Sequence, residues 1–237
     1  MKTLFVSGTD TEVGKTWVSC QILEELRKNG HRVGVWKPVC SGAIEQDGRL
    51  VWEDIERLAA AIGIDSNDPE LVNRICSQRF MAPMAPNIAA RLEGSEVLDN
   101  ALIRGFEAWE DDADFVLVEG AGGLLSPVSD RLLVADLALK LNAPLLLVAE
   151  NRLGAVHQTL ATVEAAKNRG LSVVAVVLNQ VDGDLDPILR KANEDELQRL
   201  LPGIHLLLVS HAGALASPSQ PVEYASWFRA VEDGLNL

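Results

Sequence analysis

Cysteine is scarce, with three residues in 237: Cys20, Cys40 and Cys76. An odd number without a CxxC pair offers no disulfide framework, so a reducing, cytoplasmic setting is expected. Aromatics are 5%, and the five tryptophans are scattered rather than arranged as a base-stacking set. Basic residues are short, 21 Lys+Arg against 34 Asp+Glu, for a net charge of −13. That balance argues against general nucleic-acid binding, which needs a basic face to displace counterions, and against docking on an anionic membrane. Long apolar runs are missing too. A run such as Val173–Leu178 is about a third of a membrane span, and the N-terminal run Leu4–Val6 is too short for a signal peptide. No repeat of 20–50 residues suggests a solenoid, no Pro/Ser-rich linker divides the chain, and His31, His157, His205 and His211 lack metal-ligand spacing.

What is present is a 48% apolar composition, ample for a core, in a length suited to a single α/β domain over 1–237. Short β-branched or Leu-rich runs predict strands at Thr3–Ser7, Val33–Lys37, Phe115–Glu119, Leu145–Ala149, Val173–Leu178 and His205–Val209. Several are apolar at consecutive positions, as strands buried on both faces are. Helical patterns fill the gaps, near Gly14–Asn29, Asp54–Ile62, Val97–Trp109, Val134–Leu141, Ala155–Arg169, Pro187–Leu200 and Val222–Asp233. In the first of these, Val18, Ile22 and Leu26 form one stripe, with Arg27 and Lys28 in the last turn and Gly30 as the stop. The alternation predicts a doubly wound, mainly parallel sheet flanked by helices, of P-loop type. Residues 66–96 read as an irregular insertion over one sheet edge, and 43–52 as a loop.

The most informative segment is Gly8-Thr9-Asp10-Thr11-Glu12-Val13-Gly14-Lys15-Thr16, between a buried strand and an amphipathic helix. In that context backbone N–H groups cradle phosphate oxygens, Lys15 reaches the β/γ-phosphates and Thr16 offers a hydroxyl to Mg²⁺. Five residues separate Gly8 from Gly14, one more than the common pattern. A glycine-bearing turn that binds nothing is the alternative, and GKT between strand and helix argues against it.

Other strand ends narrow the chemistry, because parallel strands present their C-terminal ends on one rim. Lys37, in Lys37-Pro38-Val39-Cys40-Ser41-Gly42, is placed to add a second positive charge near the γ-phosphate, and Ser41 to hydrogen-bond an anionic substrate. Glu119, before Gly120-Ala121-Gly122-Gly123, stands where an NTPase keeps its Mg²⁺ carboxylate. Asp54 reads either as a first-turn carboxylate favoured by the helix dipole or as a further Mg²⁺ ligand. Asn179 reads either as a turn residue or as a base-reading amide, with Gln180 beside it. Cys40 has no evident base partner.

In this order and combination, GTDTEVGKT at 8–16, KPVCSG at 37–42, Asp54 and VEGAGG at 118–123 resemble the dethiobiotin synthetase family, as far as about residue 180. The resemblance implies that Lys15 and the backbone of Glu12, Val13, Gly14, Lys15, Thr16 and Trp17 bind ATP phosphates. It implies Mg²⁺ on Thr16, Asp54 and Glu119, catalysis by Lys37 with Lys15, and substrate contact by Ser41. Gly120, Ala121 and Gly122 would lie near the phosphates, and Asn179 with Gln180 near adenine. The implied reaction joins 7,8-diaminopelargonic acid and CO₂. One amine becomes a carbamate, ATP phosphorylates it, and the second amine closes a cyclic urea with loss of phosphate. The family is also homodimeric, which would bring Asn151-Arg152-Leu153-Gly154 to the partner's substrate carboxylate. The chain departs from the family at Val209-Ser210-His211-Ala212, where a Pro-containing loop is usual. The competing readings are a partitioning-type P-loop ATPase switch and a related amidoligase. Residues 1–50 hold seven Lys/Arg and six Asp/Glu, so the expected polyphosphate segment is spared the acidity of the rest.

Overall fold

A computed structural model describes residues 1–181, 183–210 and 215–216, the last pair by backbone only. Residues 217–221, a loop on the sequence pattern, the expected helix Val222–Asp233 and residues 211–212 lie outside the described residues.

The elements run β1 (Lys2–Gly8), α1 (Lys15–Lys28), β2 (Val33–Trp36), β3 (Cys40–Ser41), β4 (Ile44–Gln46), β5 (Arg49–Val51), α2 (Glu53–Ile62) and α3 (Pro69–Ile75). Then come β6 (Arg79–Phe80), α4 (Pro86–Leu92), α5 (Asp99–Arg104), a 3-10 turn over Gly105–Trp109, β7 (Phe115–Gly123) and α6 (Val134–Lys140). β8 (Leu145–Glu150), α7 (Ala155–Asn168), β9 (Val173–Asn179), α8 (Pro187–Leu200), β10 (His205–Val209) and β11 (Leu215–Ala216) complete the series. The main sheet has the order β11-β10-β9-β8-β1-β7-β2. Every pairing in it is parallel except that of β10 with β11.

The consecutive apolar runs are the reason the sheet sits in the middle. Leu4, Phe5 and Val6 of β1, Phe115–Val118 of β7 and Leu145–Val148 of β8 are all essentially inaccessible. Residues buried without alternation need cover on both faces, which the crossover helices provide. α1 ends as its sequence dictates. Gly30 adopts φ 87, and the His31 N–H donates to Leu26 O, satisfying a terminal carbonyl. α8 begins with Pro187 at its first position and the Asp186 carboxylate accepting from the Ile188 N–H.

Three expectations need correction. The helix expected over Val97–Trp109 is α5 followed by the 3-10 turn. The break falls at Gly105, a poor helix former that lies against the Trp36 indole where no Cβ would fit. Residues 43–52 are not a plain loop, since β4 and β5 pair as an antiparallel hairpin. The 66–96 stretch contains α3, β6 and α4, and it does more than cover an edge. β6 pairs in parallel with β3, and the Lys37 N–H donates to Ile75 O, so the segment buttresses the chain leaving β2. No helix among the described residues is long and apolar enough to cross a membrane.

Candidate nucleotide and metal site

The carboxyl ends of β1, β2 and β7 open onto a cleft of about 830 Å³, as expected for an open parallel sheet. The loop between β1 and α1 forms one wall. Glu12 has φ 58 and Gly14 has φ 91, so the backbone turns sharply into the helix. Left-handed geometry at a non-glycine residue such as Glu12 is costly and persists where the surroundings over-determine it. Within the loop the Asp10 carboxylate accepts from the Thr11 N–H at 2.8 Å. The Lys15 ammonium donates to Asp10 O, also at 2.8 Å, and so is folded over its own loop. Burial lowers the Lys15 pKa to about 8; Glu119 and Asp54 oppose the shift and Lys37 adds to it.

Opposite stands a compact charged cluster. The Lys37 ammonium lies 2.6 Å from Glu119 Oε1 and 2.8 Å from Asp54 Oδ2. The Thr16 hydroxyl lies 2.8 Å from the same Glu119 oxygen and 2.9 Å from Asp54 Oδ1. Glu119 is fully buried, and its Oε2 has no hydrogen-bond partner. Burial works against the charge on Lys37, but Glu119 and Asp54 outweigh it and hold its pKa well above the ordinary lysine range. Burial likewise opposes charge on Asp54, and Lys37 with Thr16 reverses this and keeps its pKa low.

This donor set fits a hard divalent cation. One hydroxyl proton cannot satisfy two carboxylates at once, and Glu119 keeps a buried oxygen unengaged. Two carboxylates and a hydroxyl on a P-loop helix are oxygen ligands of the kind Mg²⁺ takes.

The strand ends explain the placement. β1 and β7 run in register from Lys2 and Phe115 to Val6 and Glu119, then shift, so that Gly8 meets Gly123. Gly120, Ala121 and Gly122 therefore bulge from the ladder along the cleft, with Gly122 at φ 74 and too close to Ser126 for a Cβ. Lys37 immediately follows β2 and is 4% exposed. Ser41 lines the same cleft, and its hydroxyl donates to Met84 O at 2.7 Å, which leaves its lone pairs to accept. Trp17 and Glu12 are on the wall as well. Burial pushes the Cys40 thiol up to about 11, so it is no ready nucleophile.

Asn179 and Gln180 lie elsewhere, both buried at the end of β9. The Asn179 amide donates to Val13 O at 2.9 Å, and the Gln180 side-chain oxygen accepts from Arg190 at 3.3 Å. Reading the sequence missed Trp52, Pro83, Met84 and Ser126, which line the cleft. The proline-rich run Met81-Ala82-Pro83-Met84-Ala85-Pro86 was the available signal, since a stiff chain crossing a site costs little to order.

Fold and site together define a P-loop α/β protein whose cleft is lined by groups that fit a nucleotide and a divalent cation. A family model described as an AAA domain matches residues 2–218. The ATP-dependent dethiobiotin synthetase of Rhodopirellula baltica is 39% identical over 206 residues, covering 82% of this chain and 78% of that one. Its counterpart in Aromatoleum aromaticum is 40% identical over 219 residues, covering 91% and 93%. The chain belongs to the ATP-dependent dethiobiotin synthetase family. Among solved structures, the MinC:MinD cell division protein complex of Aquifex aeolicus is similar at TM-score 0.51 and 12% identity, over 89% of this chain and 82% of that one. The cell division protein FtsY of Thermotoga maritima is similar at TM-score 0.52 and 16% identity, over 99% and 68%. The chain spans 64% to 68% of three FtsY chains to which it is similar, and at 14% to 16% identity the likeness shows the fold alone.

Proposed function

We propose that this protein is a Mg·ATP-dependent cyclo-ligase that makes dethiobiotin from 7,8-diaminopelargonic acid and CO₂. The observation that carries the reading is Lys37, bonded to both Asp54 and Glu119 at the mouth of the P-loop and sharing its cleft with Ser41. A nucleotide switch has no use for a second buried lysine just after β2 and a serine on β3 facing the same cleft.

In this reading Lys15 and the backbone of 12–17 hold the phosphates, Gly120, Ala121 and Gly122 let them approach the floor, and Asn179 with Gln180 serves the adenine end. Thr16, Asp54 and Glu119 hold Mg²⁺, which when bound neutralises charge on the phosphate oxygens. The difficulty of the reaction is electrostatic. A carbamate and a γ-phosphate each bring negative charge, and two unit charges 4 Å apart at an effective dielectric of 20 repel by about 4 kcal/mol. Lys37 and Lys15 supply fixed positive charge that offsets this and holds the groups in line. Ser41, with its proton given to Met84 O, accepts from a substrate N–H. No side-chain nucleophile is needed, because the diamine supplies both attacking nitrogens.

In this reading a second copy of the chain completes the site for the substrate tail. Leu153 is 78% exposed in the turn before α7, next to Arg152, which is bonded to Glu150 and Gln158. A homodimer would set Asn151–Gly154 against the partner's substrate carboxylate, and sedimentation at twice the 25.6 kDa chain mass checks it.

Phosphate release from ATP, measured with and without diaminopelargonic acid and bicarbonate, tests the main reading. Release should require both co-substrates and match dethiobiotin formed. Vigorous hydrolysis unaffected by either would sink the ligase assignment.

A further inference from the structure

Asn179 is 6% exposed, and one N–H of its side-chain amide donates to Val13 O, 166 residues away in the chain. The same amide stands over Gly14, where a Cβ would collide with its nitrogen. The backbone is fixed from outside as well. Asn151 N–H donates to Asn179 O, and Gln180 N–H to Val209 O, so the strand end that carries the amide is held on both sides.

The consequence follows from peptide geometry. Val13 C=O and Gly14 N–H belong to one planar peptide, which is trans here as throughout the described chain, so they point in opposite directions. Anchoring the carbonyl on Asn179 turns the Gly14 N–H away from β9. Gly14 and the following residues Lys15 and Thr16 line the cleft, so that direction is the phosphate cradle. Gly14 also has φ 91, and nothing in its own side chain holds that conformation. We infer that Asn179 is a positioning residue for the phosphate loop, fixing the Val13–Gly14 peptide so that its N–H faces the polyphosphate, independently of any contact with the base. The inference rests on the nucleotide-site reading above.

A ligand with phosphates and no base separates the two roles. Calorimetric titration of the full-length protein with Mg·tripolyphosphate and with Mg·ATP is compared for wild type, Asn179→Ala and Asn179→Asp. One neutral hydrogen bond corresponds to roughly a fivefold change in affinity, so Asn179→Ala should weaken both ligands about fivefold to tenfold. Asn179→Asp places a carboxylate against Val13 O, and should weaken both further. Melting temperature is read in parallel, because a merely structural amide would lower it without a matched loss for the two ligands. If Asn179→Ala folds poorly, Asn179→Ser keeps a small polar group and the same comparison decides. Wild-type affinity for tripolyphosphate in the variants, alongside weakened ATP, would make Asn179 a base reader only and overturn the inference. Absence of tripolyphosphate binding to the wild type would instead remove the phosphate site itself, and the inference with it.

Discussion

Replacing Lys37 by alanine perturbs stability and chemistry in ways the structure separates. The ammonium is 4% exposed and neutralises Glu119, which is completely buried, and Asp54, which is 40% exposed. Removing one member of a buried ion pair costs about 3–5 kcal/mol, because the remaining charge loses its partner. The share from Asp54 is discounted for its solvent access, which puts the loss near the low end, about 3 kcal/mol. In a chain of this size each kcal/mol moves the melting temperature by about 2–4 °C, so Lys37→Ala should melt about 6–12 °C lower. The pH for the assay follows from the direction of the shift. Lys37 is a base whose folded pKa lies above its unfolded one. Its stabilisation is therefore complete below the ordinary lysine value and lost only as pH rises through the folded pKa, and neutral buffer reads the whole effect. Divalent cation adds a second arm. With the ammonium gone, Thr16, Asp54 and Glu119 present two unneutralised carboxylates and a hydroxyl, so Mg²⁺ should raise the variant's melting temperature more than the wild type's. A cation present at 100 times its Kd restores about 2.7 kcal/mol, nearly the whole deficit. Turnover should stay lost, down by about 10²–10³-fold, because the cation replaces the structural charge but not the one facing the reacting groups. Thermal scans with and without Mg²⁺, beside steady-state assays, make the comparison. A melting temperature within 2 °C of wild type, or a Mg²⁺ response no greater than wild type's, would refute the account of this cluster.

Lys15 gives a pH signature of opposite sign. Its folded pKa is about 8 against an ordinary 10.5, so keeping it charged destabilises the free protein below pH 8, and that strain is relieved as pH rises from 8 to 10.5. In the proposed role for Lys15 it is the ammonium that holds ATP, so affinity should fall about tenfold per pH unit above 8, with proton uptake on binding. Titration calorimetry in two buffers of different ionisation enthalpy detects that proton, and equal apparent enthalpies at pH 8.5 would exclude it. Gly34→Ala probes the core behind β2, where a Cβ would sit 2.6 Å from the Trp109 ring. Overpacking of this kind costs about 1–3 kcal/mol, and urea unfolding should show a lower midpoint with an unchanged slope.

Much of this molecule is legible in its sequence, and the limits of that legibility are physical. β1, β7, β8 and β9 can be read from composition alone because burial on both faces leaves continuous apolar runs. The two-residue strands β3 and β6 cannot, because two residues carry no period, and their pairing is what brings the proline-rich run to the cleft. The end of α5 escapes for a related reason. The indole that Gly105 must lie against belongs to Trp36, on a different element. In the site, Lys15, Thr16, Lys37, Ser41 and Glu119 are readable as a set because a parallel sheet delivers every strand's end to one rim. Their mutual arrangement is not. Thr16 meets Asp54 across 38 residues, Lys37 meets Glu119 across 82, Thr16 meets Glu119 across 103 and Asn179 meets Val13 across 166. No local period encodes such distances. Asn179 shows what is lost, since the residue could be placed on the rim from sequence while its donor could not be assigned. An amide carries two N–H donors and an acceptor oxygen, and only the fold shows that one of those donors goes to the phosphate loop.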